Sequence, residues 1–298
     1  MDTVKRIHLV DASMYVFRAW HSMPDQFVDQ DNHPVNAVHG FCRFMLDLLE
    51  REKPQHAAMA FDVSLTTSFR NAIYPAYKAN RDPAPESLKR QFDYCRKLAA
   101  AMGLRVLADT DYEADDLIGS TAFALRPHGF RAVIVSADKD FGQLLGEGDE
   151  QWDFARGTRW GAADMPAKLG VRADQVIDYL ALAGDAVDNI PGVRGIGAKT
   201  AAALLAHFDT LDGLLERIDE VEFLRLRGAR SIAARLRDHV DSARLSRQLS
   251  AIAMDAPVPL KPDDFIVRSP HAEQVTALCE HLRIGAGTRQ RIKSLQQQ

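Results

Sequence analysis

Along the first half of the chain, short apolar runs alternate with stretches whose apolar residues recur at three- and four-residue spacing. This is the pattern of a mostly parallel sheet covered by helices. IHLVD predicts a first strand, HAAMAFD a second, LRVLAD a third and RAVIVSADKD a fourth and strongest. Helical spacing runs from about Ala37 to Glu52, and EADDLIGSTAFAL predicts another helix. Three of the strands are expected to end in an aspartate: Asp11, Asp62 and Asp138.

Between Asp62 and the next secure helix, SLTTSFRNAIYPAYKANRDPAPES interleaves basic and aromatic residues and is broken by Pro75, Pro83 and Pro85, so it predicts an excursion from the sheet. After about Met165 the pattern becomes helical with short loops, interrupted by the glycine-rich stretch PGVRGIGAKT. A domain boundary is expected near residue 180.

At 298 residues the chain can bury a large core, and its 46% hydrophobic and 26% charged residues match an ordinary folded protein. The first apolar run is too short for a secretory segment, and no stretch approaches the ~18 apolar residues of a membrane span. A cytoplasmic protein with no membrane partner is expected. Cys42, Cys95 and Cys279 are far apart and form no CxxC pair, so neither a disulfide framework nor a zinc knuckle is suggested.

The formal net charge of -4 argues against a nucleic-acid partner, because such affinity comes largely from basic residues. The charge is unevenly placed, however. Between Phe223 and Ser250, Arg225, Arg227, Arg230, Arg235, Arg237, Arg244 and Arg247 face only Asp238 and Asp241. A solvated helical face and a surface for a nucleic-acid backbone explain that run equally well.

In open α/β sheets ligands bind beyond the carboxyl ends of the strands, where Asp11, Asp62 and Asp138 would sit. Glu113, Asp115 and Asp116 open a predicted helix, and Glu113 and Asp116, three apart, share a face. Asp138 and Asp140 straddle Lys139; Asp185 and Asp188 are again three apart. Helix dipoles and solvated turns explain any one group. Together the nine acids would repel one another unless cations sat among them. Oxygen-only ligation, with no histidine or cysteine cluster of zinc spacing, points to Mg²⁺ or Mn²⁺, and a pair of such ions is suited to clamping a phosphodiester.

PGVRGIGAKT is neither a Walker A loop, since Ala198 separates Gly197 from Lys199, nor a dinucleotide fingerprint, since Thr200 stands where the third glycine belongs. It predicts a hairpin between a helix ending near Ala183 and one beginning near Lys199. Backbone N–H groups at the turn and helix start, with Gly192, Gly195, Gly197, Lys199 and Thr200 as the contributing positions, suit a phosphate without reading a base.

VDAS, AFD, FRNAIYPAYKANR, YEADDLIG, VSADKDFGQLL, LALAGDAVDNIPGVRGIGAKTA and LSRQL carry a resemblance, from about Ile7 to Pro259, to the 5′ nuclease family of polymerase I N-terminal domains, stand-alone exonuclease IX and flap endonucleases. The resemblance implies a PIN-like α/β 5′ nuclease core, with a mostly parallel central sheet and flanking helices, in residues 1–180. An arch segment is expected near 64–90. Residues 181–298 are expected to form a helical DNA-binding region with a helix-hairpin-helix at about 182–205.

It further implies a first metal site of Asp11, Asp62, Glu113, Asp115 and Asp116 and a second of Asp138, Asp140, Asp185 and Asp188. K⁺ would be held by main-chain carbonyls of Leu182, Ala183, Pro191, Val193 and Ile196. In the arch Arg70, Lys78 and Arg81 match basic family positions, with Lys78 and Arg81 expected to steady the scissile phosphate and Tyr77 to stack on a base. VDAS departs from the family where many members carry glycine in place of Ala12.

The implied activity is two-metal hydrolysis of DNA, exonucleolytic from 5′ ends and endonucleolytic at 5′ flaps, leaving 5′-phosphates. Asp115 and Asp138 are the acids on which catalysis should depend most visibly. A monomer is expected, with a separate DNA polymerase as a possible partner. Two rivals remain: a non-catalytic, structure-specific DNA-binding module, and an aspartyl-phosphate phosphatase, which would need an acid where Ser13 stands.

Overall fold

The computed structural model describes residues 4–63 and 67–295. In chain order the elements are β1 (Lys5–Asp11), α1 (Ala12–Ser22), α2 (Asn36–Glu52), β2 (Ala57–Asp62), α3 (Phe69–Ile73), α4 (Glu86–Ala101), β3 (Arg105–Asp109), α5 (Ala114–Leu125), β4 (Phe130–Val135), β5 (Glu150–Asp153), β6 (Thr158–Trp160), α6 (Met165–Leu169), α7 (Val176–Ala183), α8 (Ala198–Phe208), α9 (Leu211–Glu216), α10 (Ala229–Asp238), α11 (Val240–Ser250), α12 (Ala272–His281) and α13 (Ala286–Leu295). A 3₁₀ segment spans Lys139–Leu144. Of the expected arch, positions 64–66 lie outside the described residues.

The chain divides into two compact units, each discontinuous in sequence: residues 1–63, 83–136 and 253–298 form the first, and 64–82 with 137–252 the second.

In the first unit β3, β2, β1 and β4 are parallel neighbours in that order. The inner strands read as unbroken apolar runs because helices cover both faces: Leu9, Val10, Met59, Ala60, Phe61, Ile134 and Val135 are all fully buried. On α2, Phe41, Cys42, Met45, Leu46, Leu48 and Leu49 are buried at helical spacing, which places its apolar stripe in that core.

The C-terminal segment belongs to this unit. Ile266 bridges His56, and Val267 and Arg268 donate to the carbonyls of Gln55 and Gly103. Gly103 has φ +79°, and a Cβ there would lie 2.1 Å from the Arg268 carbonyl oxygen, so this return depends on glycine.

The second unit is helical apart from the β5–β6 hairpin. Its buried side chains include Leu180 and Leu182 on α7, Leu204, Leu205 and Phe208 on α8, and Leu249 on α11. The 150–160 hairpin was not expected from sequence; strands of four and three residues are too short to set up a readable alternation. A second correction concerns Asp138. β4 ends at Val135, so Asp138 is not the strand's last residue; it caps the 3₁₀ segment three positions later, accepting the Asp140 N–H at 3.0 Å.

Candidate metal and DNA site

In the first unit, Asp11 and Asp62 stand at the carboxyl ends of the adjacent parallel strands β1 and β2. Asp11 caps α1 by accepting the Met14 N–H (3.2 Å), and its Oδ2 accepts the Ser136 hydroxyl (2.9 Å). Ser13 Oγ accepts the Asp62 N–H at 2.7 Å, and Asp62 Oδ1 accepts the Ala114 N–H at 2.9 Å. The end of β2 is thereby tied to the starts of both α1 and α5.

Glu113, Asp115 and Asp116 follow at the N-terminus of α5, each offering a carboxylate oxygen within 4.8 Å of the others. The positive end of the helix dipole partly offsets this crowding. Asp116 is fully buried; its oxygens accept the Glu113 and Ala253 N–H groups (3.0 and 2.8 Å), so it anchors backbone at the same time. Oxygen-only donors at this density fit Mg²⁺ or Mn²⁺.

β3 also ends in an aspartate, Asp109, but its Oδ1 accepts the Asp111 and Tyr112 N–H groups (2.8 and 3.2 Å), which turns the chain toward α5. Ser136, which holds the Asp11 carboxylate, and Ser13, which holds the Asp62 backbone, were not assigned to the site from sequence. Ser136 directly follows β4 and Ser13 lies two residues past β1, and that placement was the available signal.

In the second unit, Lys139 Nζ lies 2.6 Å from Asp185 Oδ2 and 3.7 Å from Asp140 Oδ1. Burial, with repulsion from Asp138 and, more weakly, Asp185 and Asp188, pushes the Asp140 carboxyl up to about 7 against the pull of Lys139. Burial opposes the charge on Asp185 too, but the Lys139 ammonium and the Val187 N–H (2.7 Å) hold its carboxyl below the usual range. Burial opposes the charge on Lys139, but Asp140, Asp185 and Asp138 together raise it above an ordinary lysine. This is a group of acids in demand of positive charge.

Asp188 is the focus of the 69–82 segment. The Arg81 guanidinium pairs with its Oδ1, Lys78 Nζ is 3.7 Å from Oδ2, and the Tyr77 hydroxyl donates to Oδ2 at 3.4 Å. Lys78 and Arg81 are therefore placed on a candidate metal-holding acid.

Two side chains expected to contact DNA are buried in this structure. Arg70 is 1% exposed, and its guanidinium donates to the carbonyls of Leu249 and Ala251 (2.8 and 2.7 Å), which joins α3 to the end of α11. Tyr77 is 3% exposed and packs with Ile190 and Leu249, with Lys78 Nζ 5.0 Å from its ring centroid.

The glycine-rich stretch joins α7 to α8. Gly184 and Gly192 both have positive φ, and a Cβ on Gly192 would lie 2.4 Å from the Gly184 nitrogen, so two backbones touch there. The buried Gly192 donates to Ser246 Oγ (2.9 Å), while its carbonyl accepts the Ser242 hydroxyl (2.7 Å). Its N–H is thus already used. Gly195, Gly197 and Lys199 are exposed and Thr200 half-buried, at the start of α8.

Among the carbonyls expected to hold K⁺, Leu182 accepts the Val193 N–H and Val193 accepts the Ile196 N–H, both at 2.9 Å. Each would serve an ion through its second lone pair. Of the arginine run, Arg237 pairs with Asp219 and Glu222, Arg247 with Asp178 and Asp212, and Arg235 donates to the Gly195 carbonyl. Arg225, Arg227, Arg230 and Arg244 are exposed.

The family model for a 5′-3′ exonuclease N-terminal resolvase-like domain matches residues 6–170, and that for the 5′-3′ exonuclease C-terminal SAM fold matches residues 171–273. The chain belongs to the 5′-3′ exonuclease family, a family of enzymes. It is 36% identical to DNA polymerase I of Rhizobium leguminosarum, covering 95% of this chain and 28% of that protein. It is also 36% identical to DNA polymerase I of Bacillus subtilis, covering 95% and 32%. The chain thus spans about a third of the length of these relatives.

The fold is that of T5 5′-exonuclease, solved with bound zinc (TM-score 0.68, 19% identity, 98% of this chain and 99% of that one). It is shared with the catalytic core of Rad2, solved with a DNA substrate (TM-score 0.65, 16% identity, 98% and 92%). No helix among the described residues is long and apolar enough to cross a membrane.

Proposed function

We propose that the chain hydrolyses DNA phosphodiesters with two divalent ions, Mg²⁺ or Mn²⁺, acting exonucleolytically from 5′ ends and endonucleolytically at 5′ flaps and leaving 5′-phosphates. Asp11, Asp62, Glu113, Asp115 and Asp116 hold one ion; Asp138, Asp140, Asp185 and Asp188 hold the other. Such ions polarise a phosphoryl oxygen and lower the pKa of water. The observation that carries the reading is the convergence of Asp11, Asp62 and the Glu113–Asp116 turn at the carboxyl end of one parallel sheet, with Asp62 fastened to α5.

The chain's own groups have distinct tasks in this reading. Ser136 holds the Asp11 carboxylate by a hydrogen bond and Ser13 fixes the Asp62 backbone, so that these strand ends do not reorganise as charge develops. Lys78 and Arg81, held on Asp188, exchange that partner for phosphate oxygens when DNA arrives. Gly195, Gly197, Lys199 and Thr200 receive the DNA backbone at the α8 N-terminus, where the helix dipole favours an anion. K⁺ bound by Leu182, Ala183, Pro191, Val193 and Ile196 would steady that hairpin.

The relatives' architecture supports a DNA polymerase, attached or separate, as the partner. A monomeric, cytoplasmic enzyme completes the proposal.

The test is cleavage of a labelled 5′-flap duplex with Mg²⁺, Ca²⁺ or EDTA. Cutting with Mg²⁺ alone is expected. Retention of the duplex without cutting in any condition would favour a DNA-binding module instead.

A further inference from the structure

The fold of the second unit accounts for only part of the arginine run between Phe223 and Ser250. Arg235 and Arg237 serve it from opposite flanks of α10. Arg235 donates to the Gly195 carbonyl of the hairpin (2.9 Å), whereas Arg237 pairs with Asp219 and Glu222 of the 3₁₀ segment Ile218–Phe223 (2.5 and 2.9 Å). At about 100° per residue, Arg230 lies about 20° around the helix from Arg237 but about 140° from Arg235. It therefore shares a flank with the Ile218–Phe223 segment, away from the hairpin.

The cations of this stretch are left without counter-charge. Asp219 and Glu222 are taken by Arg237, and Glu220 pairs with Arg217 at 3.5 Å. Arg225, Arg227 and Arg230 are exposed and have no ion pair or side-chain hydrogen bond among the described residues. Beside them Phe223 is 87% exposed, more than any other large apolar side chain described. Burial alternates from there to α10: Leu224 and Leu226 are half-buried, while Phe223, Arg225 and Arg227 are exposed. The two leucines hold the segment down, and the aromatic and basic side chains are turned outward.

We propose that Phe223, Arg225, Arg227 and Arg230 form a binding surface for an unpaired DNA strand, separate from the hairpin. The bases of a duplex are stacked on one another and closed to a side-chain ring, so an outward phenyl selects an unpaired base. The guanidinium groups meet the phosphates of the same strand. A stacking ring among basic residues holds a single strand without reading its sequence. DNA as the occupant rests on the proposed nuclease reading: the surface would take the unpaired strand of a flap or gapped substrate whose duplex lies on the hairpin.

The test is the affinity of the full chain for a fluorescein-labelled oligothymidylate, and for an abasic strand of the same length, measured by anisotropy in Ca²⁺. Phe223→Ala is expected to weaken oligothymidylate binding about tenfold and to leave the abasic strand unaffected. A variant carrying Arg225→Ala and Arg227→Ala should weaken both, with the salt slope of binding reduced by about 0.7 for each arginine removed. All three side chains are exposed, so melting temperatures should match the wild type. Binding is read without cleavage, so a chain that never cuts but shows these losses fails the nuclease reading and keeps the strand surface. A wild type that does not bind oligothymidylate, a Phe223→Ala variant that binds it as tightly as the wild type, or an unchanged salt slope in the arginine variant would overturn the proposal.

Discussion

Asp62 Oδ1 accepts the Ala114 N–H at 2.9 Å, so the carboxylate that ends β2 is fastened to the first residue of α5. One oxygen positions the helix carrying Glu113, Asp115 and Asp116, and the other remains for a ligand. Asp62→Asn keeps an acceptor for Ala114 but loses the charge. Its melting temperature should stay near that of the wild type while cleavage falls by about 10²–10³-fold. Loss of stability with normal cleavage would make Asp62 a purely structural residue.

Arg70 and Arg81 are both arginines of the same basic stretch, yet they should fail differently. Arg70→Ala removes a buried guanidinium and leaves the Leu249 and Ala251 carbonyls without their donor, a loss of about 3 kcal/mol in a denaturation curve. Arg81 is about a third exposed. Arg81→Ala should leave stability within about 0.5 kcal/mol and lower cleavage, and equal loss of stability in the two would refute the distinction.

Lys139 compensates Asp140 and Asp185 when no ion is bound. Lys139→Met should lower stability in EDTA by about 1 kcal/mol, a figure discounted for the 46% exposure of its side chain. With the ammonium gone the acids should gain more from Mg²⁺. The rise in melting temperature on adding Mg²⁺ should therefore exceed that of the wild type, and an equal rise would count against a metal role for this group.

Much of the first unit could be read from the chain. The apolar runs of β1 and β2 and the acids that end them carry their own signal, as does the Glu113–Asp116 helix start. The misplaced end of β4 shows the limit: no proline or glycine stops the strand after Val135, but Asp138 accepts the Asp140 N–H and bends the chain into a 3₁₀ turn. Arg70 and Tyr77 illustrate another. A basic–aromatic alternation reads as a DNA surface, and only the fold shows that their partners are Leu249, Ala251, Ile190 and Asp188.

The cysteines should be inert in the folded protein. Burial pushes the Cys42 thiol up to about 12 and raises Cys95 and Cys279 as well, so little thiolate forms near neutral pH. Iodoacetamide at about pH 8 should leave all three unmodified by mass spectrometry until denaturant is added. Rapid labelling of native Cys42 would contradict the packing of α2.

The most direct test of the account is single-turnover cleavage of a labelled 5′-flap duplex by the wild type, Asp115→Ala and Asp138→Ala, alongside duplex binding in Ca²⁺. The wild type should cut in Mg²⁺ and leave 5′-phosphates, and both variants should bind the duplex without cutting it. Full cleavage by either variant would contradict the assignment of its acid to the metal site.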